Sequence, residues 1–183
     1  MNLLIANENN ILDLVNLGLE SNTETCEIEI LNRIKSKTDF YCILFYNNKP
    51  IGKCLIKKCL LTDDDDNNTY YLREVYKNKL YREFKIKNLL DFAIQNLINK
   101  QISFNLKLFV DILNLIAIQL YKHINFKIIQ YDISSIKYTE EYFNDKTYNK
   151  LNLKFINKIE IYDNILLRPD RKLPFYKMEY KLN

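Results

Sequence analysis

The chain reads as an α+β protein: a mixed sheet with a central β-α-β unit and about four helices. Three stretches predict this. Phe104 to Phe126, FNLKLFVDILNLIAIQLYKHINF, changes period partway along. Leu106, Leu108 and Val110 alternate with more polar neighbours, as in a strand with one well-buried face, whereas Leu113, Ile116, Ala117 and Leu120 fall at helical spacing and form one apolar face. Second, Phe40 to Tyr46 and Ile51 to Leu61 are rich in strand formers and flank Asn47-Asn48-Lys49-Pro50, which together read as a β-hairpin. Third, a strand over Thr69 to Val75 leads through a basic turn into a long helical period and then into the strand at Phe104. Strand, helix and strand form a β-α-β unit, which predicts parallel strands and a right-handed crossover.

The other elements follow in chain order. Leu3 to Ala6 is a short strand, and Asn9 or Asn10 caps a helix whose apolar face is Ile11, Leu14, Val15 and Leu17. Thr23 or Thr25 starts a second helix through Ile28, Ile30, Leu31 and Ile34. After the hairpin, Asp63 to Asp66 with Asn67 and Asn68 make an acidic loop; it lacks the alternating ligands and glycine bend of a calcium site, so a solvated loop is expected. Leu89, Leu90, Ala93, Ile94, Leu97 and Ile98 give the third helix its period. A strand runs from Phe126 through Ile133, and the alternating Leu173 to Leu182 is the last strand. Between them lies an enlarged connection, 134–172, with many aromatic residues and mixed charges.

With 183 residues, one domain over 1–183 is expected, with a sizeable core. A chain 48% hydrophobic and 27% charged is globular rather than disordered. Glycine (2), proline (3) and tryptophan (0) are scarce beside abundant Asn, Ile, Lys and Tyr, the bias of an AT-rich coding sequence, so substitutions at glycine positions carry less meaning than usual. The net charge of +4 permits an anionic ligand without requiring nucleic acid. Cys26, Cys42, Cys54 and Cys59 form no C-x-x-C pair and have no His-rich company, so no metal site is expected. Cys42, Cys54 and Cys59 lie in apolar runs and read as buried free thiols of a reducing compartment. The N-terminus carries no secretory pattern and no apolar window is long enough to span a bilayer, so the expected location is cytoplasmic.

Candidate site residues cluster in two places. The helix after Val110 carries Asn114 and Tyr121, which two turns bring to within about 20° of each other, so two polar groups lie along one line. The turn after Tyr76 is strongly basic, with Lys77, Lys79, Arg82, Lys85 and Lys87, and it ends at a helix start, where unpaired N–H groups and the dipole favour phosphate.

These residues resemble the GNAT acetyltransferase superfamily. Asn114, Ala117, Leu120, Tyr121, Asn125 and Phe126 stand as its closing motif, N-x-x-A-x-x-L-Y-x-x-x-G-F, with Asn125 in place of glycine, the other residue that tolerates the left-handed conformation after a helix. The hairpin phrase FYNNKPIGKCLIK, with Gly52, is similar to the family's second and third strands. Arg82, Glu83, Phe84, Lys85, Ile86 and Lys87 fill its diphosphate-binding motif, Q/R-x-x-G-x-G/A; the Arg matches and lysines hold both glycine positions. The resemblance implies a mostly antiparallel sheet of six to seven strands and an acetyl-CoA-dependent N-acetyltransferase acting by direct attack of a primary amine on the thioester. It places acetyl-CoA on Val75, the 82–87 turn, Asn114 and Tyr121, with the Val75 N–H on the thioester oxygen, Glu74 as general base and Tyr121 as general acid for the departing thiolate. It implies a small-molecule amine acceptor, such as an amino sugar or polyamine, rather than a protein amine. No membrane or nucleic-acid partner is expected, and a homodimer is compatible with it. The lysines at the glycine positions motivate an alternative: a non-catalytic protein of the same fold that serves as a binding or scaffolding module.

Overall fold

The computed structural model describes residues 1–36, 38–58, 68–101, 103–111, 114–132 and 175–181. The acidic run at Asp63 to Asp66, Cys59 and the 134–172 connection lie outside them. The chain divides into two compact units, Met1–Lys107 and Leu108–Asn183. Seven strands follow the order β1-β2-β3-β4-β5-β7-β6 in a mixed sheet.

The first unit holds β1 (Asn2–Ile5), a 3₁₀ turn (Glu8–Asn10), α1 (Ile11–Ser21), α2 (Glu27–Lys35), β2 (Phe40–Tyr46), β3 (Lys49–Lys58), β4 (Thr69–Lys77), α3 (Ile86–Lys100) and the start of β5 (Asn105–Asp111). Neighbouring strands are antiparallel until β4 and β5, which run parallel with Thr69 opposite Asn105 and Tyr71 opposite Lys107. The expected β-α-β unit is therefore present. The β2–β3 turn is tighter than its sequence suggests. Asn47 and Asn48 carry φ of 46° and 60°, as a two-residue type I′ turn requires, and Lys49 already pairs with Tyr46. Pro50 sits in β3 beside an irregularity in the ladder between Leu44 and Phe45, a place where a residue without an N–H is tolerated. Gly52 is needed for close approach: a Cβ there would lie 2.8 Å from the Tyr76 carbonyl oxygen.

Leu14, Leu17 and Ile30 pack with Tyr41, Ile43 and Leu55 on one side of the sheet. Alternation turns Cys42, Cys54 and Ile56 to the other side, where α3 packs on β2 and β3. Strand β2 is thus covered on both faces, which explains why FYCIL is continuously apolar and buried. The α3 residues Leu89, Leu90, Ala93, Ile94 and Leu97 are buried as their period predicts. Asn10 holds the cap position of α1, one of the two expected, though its side chain makes no capping bond to that helix, and the N-terminus of α2 differs from expectation. Asn7, with its side chain accepting from the Asn9 N–H, caps the 3₁₀ turn ahead of α1. Neither Thr23 nor Thr25 starts α2; its cap position is Cys26, whose N–H is held by the Glu24 carboxylate, and Ile28 is 69% exposed rather than on the buried face.

The second unit holds the remainder of β5, α4 (Leu115–His123), β6 (Phe126–Asp132) and β7 (Phe175–Tyr180). The last strand lies between β5 and β6 and runs antiparallel to β6, with Phe126 opposite Tyr180. Asn125 takes φ 76°, the left-handed conformation expected of a glycine substitute, and it exchanges two hydrogen bonds of 3.0 Å with Lys181. The apolar face of α4 is only in part the predicted one, and Leu113 lies outside the described residues. Ile116 is 84% exposed, Ala117 and Leu120 are half-buried, and the buried residues are Ile118 and Tyr121. The stretch LIAIQL is apolar nearly all round, so its spacing alone does not select the buried side.

Candidate active site

Strand β4 is interrupted where the sequence placed its carboxylate. Leu55 opposes Arg73 and Lys53 opposes Tyr76, so Glu74 and Val75 together face the single residue Cys54. This two-against-one count is a β-bulge, which takes one residue out of the ladder and bends the strand. Glu74 carries φ 51°, a left-handed conformation that is uncommon and unfavourable for a residue with a Cβ.

The Glu74 side chain is held from three elements. Oε1 accepts from Arg33 Nη1 of α2 at 2.8 Å, Oε2 accepts from Lys53 Nζ of β3 at 3.0 Å, and the Tyr41 hydroxyl of β2 lies 3.4 Å from both oxygens. Arg33 is itself fixed: Nη1 also donates to the Tyr41 hydroxyl at 2.7 Å and Nη2 to Glu24 Oε2 at 3.3 Å. Lys53 is wholly buried, and a buried ammonium requires an anion; here it is Glu74. Burial lowers the Lys53 ammonium below its ordinary range against the opposing pull of Glu74, and burial next to that carboxylate pushes the Tyr41 phenol up. Further along, Tyr76 of β4 and Asn78 just after its end both donate to Glu20 Oε2 at 3.0 Å. Glu20, Glu24 and Glu74 therefore stand along one side of this strand with α1 and its connection to α2.

Of the partners of Glu74, Arg33 and Tyr41 carry no signal in the sequence that points to it. A signal for Lys53 was present: it interrupts an otherwise apolar IGKCLI run, where a charge on either face of a covered strand needs a partner.

The basic turn after β4 is organised by its own residues. Lys77 Nζ donates to the carbonyls of Asn78 at 3.2 Å and Tyr81 at 2.6 Å, so this lysine ties the turn together. Tyr81 and Phe84 pack on Tyr46 at the end of β2, with ring centroids 5.9 and 4.8 Å apart. Lys87 pairs with Asp91 one turn on at 2.6 Å. Arg82, Glu83 and Lys85 are exposed, and Ile86, the first residue of α3, is half-buried. Lys85 occupies the cap position of α3 with φ −83° and ψ 126°, no side chain caps the helix, and its first turn carries no acidic residue. None of residues 82–87 has a positive φ, so the lysines at the glycine positions stand in ordinary backbone. The result is an uncapped helix N-terminus flanked by cations, an arrangement that an anion relieves.

In the second unit, Asn114 and Tyr121 do not form the expected polar line. Asn114 caps α4, its side chain accepting from the Ala117 N–H at 3.1 Å. Tyr121 is 8% exposed and packs edge-on against Phe126, with centroids 5.8 Å apart, and Phe126 packs likewise on Tyr180.

Cys42 and Cys54 are buried opposite each other across β2 and β3; the hydrogen bond between them and burial hold the Cys54 thiol well above its usual range, away from the reactive thiolate. Among the described residues no group of His, Cys, Asp and Glu could hold a metal ion, and no helix is long and apolar enough to cross a membrane.

No protein-family model matches the chain, and no curated protein matches it in sequence. Solved structures do match in fold. The ribosomal-protein-alanine N-acetyltransferase of Brucella melitensis superposes with a TM-score of 0.68 over 100% of both chains at 13% identity. A GNAT-family acetyltransferase of Streptococcus pneumoniae gives 0.64 over 97% of this chain and 98% of its own at 19% identity. The PaiA N-acetyltransferase of Thermoplasma acidophilum, solved with coenzyme A, gives 0.60 over 100% of both at 16% identity. With its mixed seven-stranded sheet, parallel β4–β5 pair and four helices, the chain has the GNAT fold.

Proposed function

We propose that the chain is an acetyl-CoA-dependent N-acetyltransferase that moves an acetyl group to a primary amine. The observation that carries the reading is that one strand, β4, delivers both a left-handed bulge with a held carboxylate and, directly after it, an uncapped basic helix start. Phosphate oxygens fit that start: Arg82 and Lys85 supply exposed cations, Glu83 and Phe84 complete the turn, and the N–H groups of Ile86 and Lys87 open the helix. Acetyl-CoA, when bound, supplies the activated acetyl group as a thioester. Coenzyme A in the Thermoplasma acidophilum structure supports the choice of co-substrate.

The roles of the residues follow. The Val75 N–H, within the bulge, donates to the thioester carbonyl oxygen as charge develops there. The amine nitrogen bonds to the carbonyl carbon as the carbon–sulfur bond breaks. Glu74 accepts the proton that the ammonium must lose, directly or through water; a carboxylate offers about four lone-pair positions and three donors occupy this one. Tyr121 gives a proton to the departing thiolate and is restored by the second proton that the nitrogen loses on becoming an amide, and Asn114 sets the start of the helix that carries it. The proposed acceptor is a small amine such as an amino sugar or polyamine; an aminoglycoside 6′-acetyltransferase of the same fold supports it. The lysines at the glycine positions stand in unstrained backbone, which supports the catalytic reading over the non-catalytic alternative.

A panel of amino sugars and polyamines, assayed for coenzyme A release, tests the reading with Tyr121→Phe alongside. The expected result is turnover of at least one amine, with kcat reduced on the order of 100-fold in Tyr121→Phe and acetyl-CoA affinity unchanged. Equal kcat in the two proteins would remove Tyr121 from the mechanism.

A further inference from the structure

Resting on that reading, we propose that Arg33 and Lys53 are positioning residues: together they fix the Glu74 carboxylate and, through it, the left-handed bulge that aims the Val75 N–H. A left-handed glutamate persists only where its surroundings over-determine it. Here they do. Arg33 pins Oε1 and Lys53 pins Oε2, so the carboxylate is held at both oxygens from elements on either side, α2 and β3.

Each clamp has further contacts of its own. The Arg33 guanidinium is anchored at its far end by Glu24, whose other oxygen accepts from the Cys26 N–H at 2.9 Å at the start of α2. The Lys53 ammonium is fully buried and lies 5.7 Å from the centre of the Tyr41 ring. Rotating Glu74 back into the right-handed or extended region would pull its carboxylate off both cations and leave Lys53 buried without its anion. The side chain thus locks the backbone, and the backbone places Val75.

A network that served only to stabilise the fold would contribute independently of what Glu74 does in the reaction. A positioning role requires that Arg33 act through Glu74. Arg33 lies near the surface end of the network, so Arg33→Gln and Arg33→Lys are the variants of choice, each alone and in a Glu74→Gln background. The readouts are kcat, the KM for acetyl-CoA, and the Val75 amide resonance of the ligand-free protein. Arg33→Gln should lower kcat on the order of 100-fold, the scale of a misplaced reacting group. It should leave the KM for acetyl-CoA within about twofold, and it should shift the Val75 resonance.

Arg33→Lys keeps the charge and loses one hydrogen bond; it should recover all but about tenfold of kcat and return the Val75 resonance toward its original position. In the Glu74→Gln background Arg33→Gln should cost nothing further. Equal losses in both backgrounds, or a Val75 resonance that does not move, would overturn the proposal. If Arg33→Gln does not fold, Arg33→Lys decides: full kcat with an unmoved Val75 resonance overturns it. If the chain turns over no amine, the functional reading fails separately, and the Val75 resonance still decides whether Arg33 holds the bulge.

Discussion

The bulge at Glu74–Val75 and the turn at Arg82–Lys87 leave the same strand and solve opposite problems. At the bulge the backbone is left-handed and the residue is not glycine, so three donors from three elements hold the side chain that holds the backbone. In the turn the backbone is ordinary, although lysines stand where the family's motif has glycines, and the cations themselves are the feature. A substitution in the first region disturbs a network with a buried ammonium; one in the second changes surface charge. The lysines at the glycine positions thus carry no backbone strain for the fold to offset.

That contrast can be broken by two substitutions. Glu74→Ala leaves the Lys53 ammonium buried without its anion, and the expected loss of stability is about 3 kcal/mol, the scale of an uncompensated buried charge. Urea denaturation measures it, and a loss below about 1 kcal/mol, the scale of a surface pair, would mean that the network does not clamp the bulge. Lys85→Gly should have a much smaller effect on stability. Its backbone is unstrained, so glycine adds only unfolded-state freedom, about 0.5–1 kcal/mol. A larger loss in the same denaturation series would show that the lysine is structural and not a spare cation.

Much of the fold was legible because its strongest signals are periodic. The α3 residues Leu89 to Leu97 and the alternating strands predicted their own burial, and Asn125 announced its left-handed φ through residue type. The α4 helix was legible as a helix but not as a face, because Leu115 to Ile118 are all apolar and Tyr121 turns inward with Ile118. The site was legible in part. Glu74 stood out as the carboxylate of β4, yet its partner Arg33 lies 41 residues away in sequence and comes to it only through the packing of α2 on β2. The lysines of the turn were visible, but the sign of φ at those positions was not, since residue type constrains backbone weakly where no turn residue is present.

The most direct test of the account is calorimetric titration of acetyl-CoA into the purified chain and into the Arg82→Ala, Lys85→Ala double variant. Saturable micromolar binding to the parent is expected, lost in the variant while the fold is retained. Absence of binding to the parent up to millimolar acetyl-CoA would contradict it.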